Sequence, residues 1–159
     1  MNDLTISRSP LDPNLRESLI RYVYGVVGCI QCVHRQLGPG MPEYIYQEAL
    51  GRKLVKEQFD VRKELVYHPL FDGEALESYI KMDMVVMMPR GNVIIECKSI
   101  KEITDREQFQ TFGYLRGTSF PIAILVNFGT WPKAQIERYY YHEGIIRAFE
   151  TACGKILGM

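Results

Sequence analysis

The sequence predicts a single α/β domain in which a mixed central sheet of four to five strands is flanked by helices. Three observations carry this reading. A long helical period opens the chain, apolar strands without polar alternation occupy its middle, and a capped helix separates two of those strands. Strands that are apolar on both faces need cover on both sides, and a helix between buried strands returns the chain by a crossover. At 159 residues the chain suits one domain that buries about two-thirds of its unfolded surface. Residues 1–159 are therefore read as one unit with a core of about 15–141.

The first helix rests on Leu15, Leu19, Tyr22, Val26, Ile30, Val33 and Leu37, spaced by threes and fours along one face. Asp12-Pro13 supplies its cap and first turn, and Gly38-Pro39-Gly40 stops it. A second helix is expected from near Pro42 to about Gln58, with Ile45, Ala49, Leu50 and Leu54 facing inward. The period then shortens: Phe59 to Leu70, Tyr79 to Met88 and Asn92 to Ser99 read as strands, the last two joined at Pro89-Arg90-Gly91-Asn92. Thr104 and Glu107 form a capping-box signature for a third helix that ends near Gly117. Phe120 to Asn127 reads as a buried strand, Ile136 to Tyr141 as an outer one, and Gly144 to Leu157 as a C-terminal helix.

Composition limits the function classes. Hydrophobic residues at 47% and charged residues at 24% exclude disordered, collagenous and membrane chains. Nineteen basic residues balance nineteen acidic ones, so a polyanionic partner has to be held by a local patch. Met1-Asn2-Asp3-Leu4 has no signal-peptide character and no stretch approaches the ~20 apolar residues of a membrane span. A cytoplasmic protein without membrane association is expected, with its four cysteines reduced. Homo-oligomerisation stays open.

Two acids stand where strands should be apolar: Asp83 in Ile80-Lys81-Met82-Asp83-Met84-Val85, and Glu96 in Val93-Ile94-Ile95-Glu96-Cys97-Lys98. A buried carboxylate requires a partner. Pairing Met88 with Val93 across the turn sets Asp83 opposite Lys98 and Val85 opposite Glu96, and places Asp83, Glu96 and Lys98 on one side of the sheet. Neighbouring carboxylates repel unless a proton or cation lies between them. Mg²⁺ or Mn²⁺ suits such oxygen ligands, with the backbone carbonyl of Cys97, water and a substrate phosphate filling other positions. Lys98 beside them could position a water or offset phosphate charge. The structural alternative is a buried Asp–Lys ion pair with Glu96 at a solvated edge.

An Asp on one strand, Glu-x-Lys on the next, a preceding helical Glu and a following helical Gln together resemble the PD-(D/E)XK nuclease superfamily. Within it the chain resembles the family named for its GxxExxY motif, matched by Gly40-Met41-Pro42-Glu43-Tyr44-Ile45-Tyr46. Further matches are Val33-His34-Arg35-Gln36-Leu37-Gly38-Pro39-Gly40 and Leu125-Val126-Asn127-Phe128-Gly129. The resemblance implies a restriction-endonuclease-like sheet and phosphodiester hydrolysis of DNA or RNA by a metal-activated water. It implies Asp83 and Glu96 as metal ligands, Lys98 as the catalytic lysine, Glu43 as an added acid acting on the metal directly or through water, and Gln110 as a polar helix residue near the site. Where that family often carries Arg two residues before the strand Asp, this chain has Lys81, which keeps the charge without the bidentate geometry.

Other features have alternative readings. A non-catalytic nuclease-fold protein that binds nucleic acid or a protein partner is the second hypothesis. Cys29-Ile30-Gln31-Cys32 suggests a thiol-dependent regulator, but it lies inside a helix, where core packing explains it. His34 after it is read as a helix-end donor to a carbonyl. Arg52, Lys53, Lys56, Arg62 and Lys63 form either a solvated face or a phosphate-contacting rim, and Tyr139-Tyr140-Tyr141-His142 either stack on bases or pack as a strand.

Overall fold

The computed structural model describes residues 13–89 and 91–149. Helices α1 (Pro13–Leu37) and α2 (Glu43–Lys56) come first, followed by strands β1 (Asp60–Tyr67), β2 (Leu70–Phe71), β3 (Glu74–Ala75), β4 (Ile80–Met87) and β5 (Val93–Lys98). Helix α3 (Asp105–Thr118) leads to β6 (Ile122–Asn127), β7 (Gln135–His142) and β8 (Ile145–Phe149). Among the described residues no helix is long and apolar enough to cross a membrane.

Six strands form one mixed sheet in the order β1-β4-β5-β6-β7-β8, and β2 with β3 makes a separate small hairpin. Only β5 and β6 run parallel; the other neighbours are antiparallel. The parallel pair follows from α3, whose capping box at Thr104 and Glu107 starts the crossover. Val26, Ile30, Tyr46 and Leu50 pack with Ile95 and Ile124 on one face of the sheet, and Phe112 and Leu115 pack with Ile94 and Leu125 on the other. The sheet is thus covered on both sides, as its continuous apolar strands require.

Two expectations are corrected. The sheet has six strands rather than four or five, and Ile145–Phe149 is a strand where the sequence predicts the start of a helix over Gly144–Leu157. His142 pairs with Ile145 across Glu143 and Gly144, both at positive φ, 49° and 76°, the backbone of a two-residue hairpin turn. A strand at that place satisfies the free edge of β7, which is internal rather than outer. The remainder of the expected helix, from 150 onward, lies outside the described residues.

The hairpin register is also corrected. Met84 pairs with Ile95, Val85 with Ile94 and Val86 with Val93, two residues away from the expected pairing. Because a shift of two preserves the face, the side assignments of β5 survive, but the opposing partner of Asp83 becomes Glu96 instead of Lys98. Strand β4 is irregular at this point. Met82 packs in the α3-side core and Met84 in the other, although residues two apart share a face in a regular strand. On β1, Val61 and Leu65 divide in the same way around Glu64, whose φ is 50°.

Candidate active site

The β4–β5 ladder ends where Asp83 and Glu96 meet, and their side chains take over from backbone acceptors. The Asp83 amide donates to Glu96 Oε1 at 3.1 Å, and the Cys97 amide donates to Asp83 Oδ2 at 3.1 Å. Each carboxylate is therefore fixed by the main chain of the opposite strand. Glu96 is 2% exposed. Burial and then the nearby charge of Asp83 push its carboxyl up to about 9 from an ordinary 4.5, so without a cation this pair holds a proton at neutral pH.

Lys98, two residues along β5, donates from Nζ to Gln110 Oε1 on α3 at 3.0 Å, and its charge acts against the upward shift of Glu96. Glu43 approaches from α2, on the opposite layer. Desolvation raises its carboxyl, the charge of Lys98 lowers it and that of Asp83 raises it, which places the four charged groups within one electrostatic neighbourhood. Gln47, one turn along α2, donates to Glu43 Oε1 at 3.3 Å. Among the described residues no group of three or more His, Cys, Asp and Glu side chains converges as a metal cage. The structure thus brings together Asp83 and Glu96, and Lys98 and Gln110, and leaves Glu43 outside a three-acid cluster.

The donor set fits a divalent ion all the same. Small hard cations keep several waters and rest on one or two carboxylates, and a buried acid beside a second carboxylate is relieved by such a charge. The Cys97 carbonyl is the backbone oxygen between Glu96 and Lys98. Its thiol is fully buried, with burial and then Asp83 pushing it well up, and contributes nothing to such a site.

Around this pair lies a satisfied framework built from the sequence motifs. Gly40 takes φ 101° in the turn before α2, a conformation that glycine adopts without steric penalty. The Met41 amide donates to the Tyr46 hydroxyl at 3.0 Å, and that hydroxyl donates to the Gly38 carbonyl. The Tyr46 ring stacks on Phe128 with centroids 4.5 Å apart, and His34 stacks on the same Phe128. Ser99 Oγ donates to the Met41 carbonyl at 2.8 Å, tying the end of β5 to the turn that carries Glu43. Asn127 is fully buried. It accepts from the Ile100 and Gly129 amides and donates to the Ile100 carbonyl, each at 2.9 Å, while a Cβ at Gly129 would lie 2.2 Å from that carbonyl. Glu43 and Lys98 are therefore carried by two segments locked to each other.

Other sequence readings resolve here. His34 Nε2 lies 2.8 Å from the Thr130 carbonyl, the helix-end contact read from the sequence. Cys29 is buried in the core with its thiol pushed up by burial, contrary to a reactive thiolate. Arg52 pairs with Glu48, Lys53 with Glu57 and Arg62 with Asp60, which favours the solvated face. Tyr139 and Tyr140 are 6% and 1% exposed, so neither offers a face for stacking. Sequence reasoning missed Tyr114. Burial and then the charges of Glu96 and Asp83 raise its phenol, and Gln110 hydrogen-bonds it. The signal was its four-residue spacing from Gln110 on one helix face.

A family model described as the PD-(D/E)XK nuclease superfamily matches residues 21–139. No curated protein matches the chain. Among solved structures, "Crystal structure of SSO0001" is 16% identical with a TM-score of 0.41, covering 78% of this chain and 74% of that one.

Proposed function

From the premise that the chain belongs to the PD-(D/E)XK nuclease superfamily, we propose that it is a divalent-metal-dependent nuclease of the GxxExxY type that hydrolyses phosphodiester bonds of DNA or RNA. The observation that supports this is the mutual grip of Asp83 and Glu96 across the broken ladder, with Lys98 two residues beyond. A scaffold gains nothing from a buried acid that must share a proton with a neighbouring carboxylate.

Asp83, Glu96 and the Cys97 carbonyl are the groups that would hold Mg²⁺ or Mn²⁺, with Glu43 acting through water. Such an ion supplies Lewis acidity to water and neutralises phosphate charge. The chain's own residues do the rest. The backbone amides of Asp83 and Cys97 keep the two carboxylates aimed. Gln110 holds the Lys98 ammonium at the end of β5, where it offsets the charge that builds on the phosphoryl oxygens as water adds and a P–O ester bond breaks. Glu43, with its carboxyl raised, is suited to exchange a proton with a water at the margin of the site.

Calorimetric titration of Mn²⁺ and Mg²⁺ into the native chain and a folded D83N/E96Q variant, followed by cleavage assays on single- and double-stranded DNA and RNA, tests the reading. Metal binding lost in the variant and cleavage lost in K98A are expected. Full cleavage by K98A overturns the role of Lys98, and absence of metal binding with oligonucleotide present transfers the assignment to a non-catalytic nuclease fold. That second reading has one observation in its favour: no third acid joins the pair among the described residues.

A further inference from the structure

A groove of about 790 Å³ lies between α1 and the segment leading into β7, a volume in the range of small-ligand sites. Tyr24, Gly28, Gln31 and Arg35 line it at helical spacing, and Lys133 and Arg138 line the opposite wall. Among the described residues none that lines it is acidic, although the whole chain carries equal numbers of both signs. Its local charge is thus set against the average composition and attracts an anion. The Tyr24 ring is 74% exposed, as is that of Trp131, next in sequence to the lining Pro132. Next to the tyrosine the helix is bare at Gly28, where a Cβ meets nothing within 4 Å. An aromatic platform, an open position on the floor and the two cations Arg35 and Lys133 match a base that carries phosphate.

We propose that this groove binds a nucleotide-bearing ligand, a single strand of nucleic acid held away from the acids, with its phosphates on Arg35 and Lys133 and a base against Tyr24. The choice of a strand over a free nucleotide rests on the proposed nuclease function; the groove's preference for phosphate and base does not. His34 lines the groove and stacks on Phe128, which stacks on Tyr46, three residues beyond Glu43. The groove is therefore tied through one ring stack to the helix that carries Glu43.

The test is fluorescence anisotropy in EDTA, so that cleavage plays no part, with a labelled oligothymidylate of about ten nucleotides and, separately, a labelled thymidine nucleotide. The probes are the native chain, D83N/E96Q, R35E/K133E, and G28W, which fills the floor from an open position; circular dichroism checks each fold. Oligonucleotide binding weakened at least about tenfold in R35E/K133E and in G28W, steeply salt-dependent and unchanged in D83N/E96Q, is expected. Binding of the nucleotide but not the oligonucleotide, with the same variant pattern, upholds the groove and names the free nucleotide as its ligand. Binding of neither probe, or binding that both groove variants leave intact, overturns the proposal. Loss of cleavage or of metal binding elsewhere leaves this result unaffected.

Discussion

Two polar clusters sit a few residues apart at one end of this sheet, and they are built on opposite principles. Around Asn127, His34 and Tyr46 each of the named polar groups has a partner: one buried amide serves three backbone groups, an imidazole meets a carbonyl and a phenol bridges a turn. At Asp83 and Glu96 two carboxylates face each other across a ladder that their own side chains interrupt, and one of them is buried. The first cluster contributes stability and geometry. The second is in electrostatic conflict, and such conflict persists in folded proteins chiefly where chemistry uses it. Scaffold and site are thus distinguished by whether their polar groups are content.

The sharpest way to break this comparison is Asn127→Ala, which strands three buried backbone groups; urea denaturation should show a loss of roughly 3–6 kcal/mol. A loss below about 1 kcal/mol would mean that water replaces the amide. Lys98→Ala should do the reverse, lowering cleavage by about 10²–10³-fold while leaving the denaturation midpoint nearly unchanged. Tyr46→Phe removes only the hydroxyl bridge and keeps the stack on Phe128, so about 1 kcal/mol is expected; a much larger loss would assign the turn, rather than the stack, the main structural role.

Glu96 gives a pH signature. Its carboxyl in the folded chain titrates at about 9 against 4.5 ordinarily, so between those values the folded state holds a proton that the unfolded state has released. Stability is then greatest at the acid end and falls as pH rises through this window. Thermal unfolding in EDTA from about pH 5 to about pH 9 should show the decline in the native chain and its absence in Glu96→Gln; equal slopes would show that the proton sits elsewhere. Added Mg²⁺ should stabilise the native chain more at the alkaline end, where its binding displaces less proton. Arg52→Ala, at an exposed i,i+4 pair with Glu48, should change stability by no more than about 0.5 kcal/mol.

The elements that encode themselves locally were legible before the structure. Leu15 to Leu37 carries its period and stops, and Thr104 with Glu107 carries its cap; in both cases neighbours in sequence are neighbours in space. Asp83 and Glu96 stood out because a carboxylate inside an apolar strand is costly wherever the strand lies. Their opposition did not follow, since the hairpin register depends on how residues 87–92 turn, and a two-residue shift preserves every face while changing every partner.

The sequence by itself determined the layered α/β class, the crossover between β5 and β6, and the residue types available for chemistry, because period, capping and burial cost act over a few residues. Only the tertiary structure decided that β8 closes the sheet edge, that Asp83 meets Glu96 while Lys98 meets Gln110, and that Tyr114 shares their surroundings. Those outcomes depend on unsatisfied backbone edges and on charges brought together from distant segments, and both are properties of the assembled sheet.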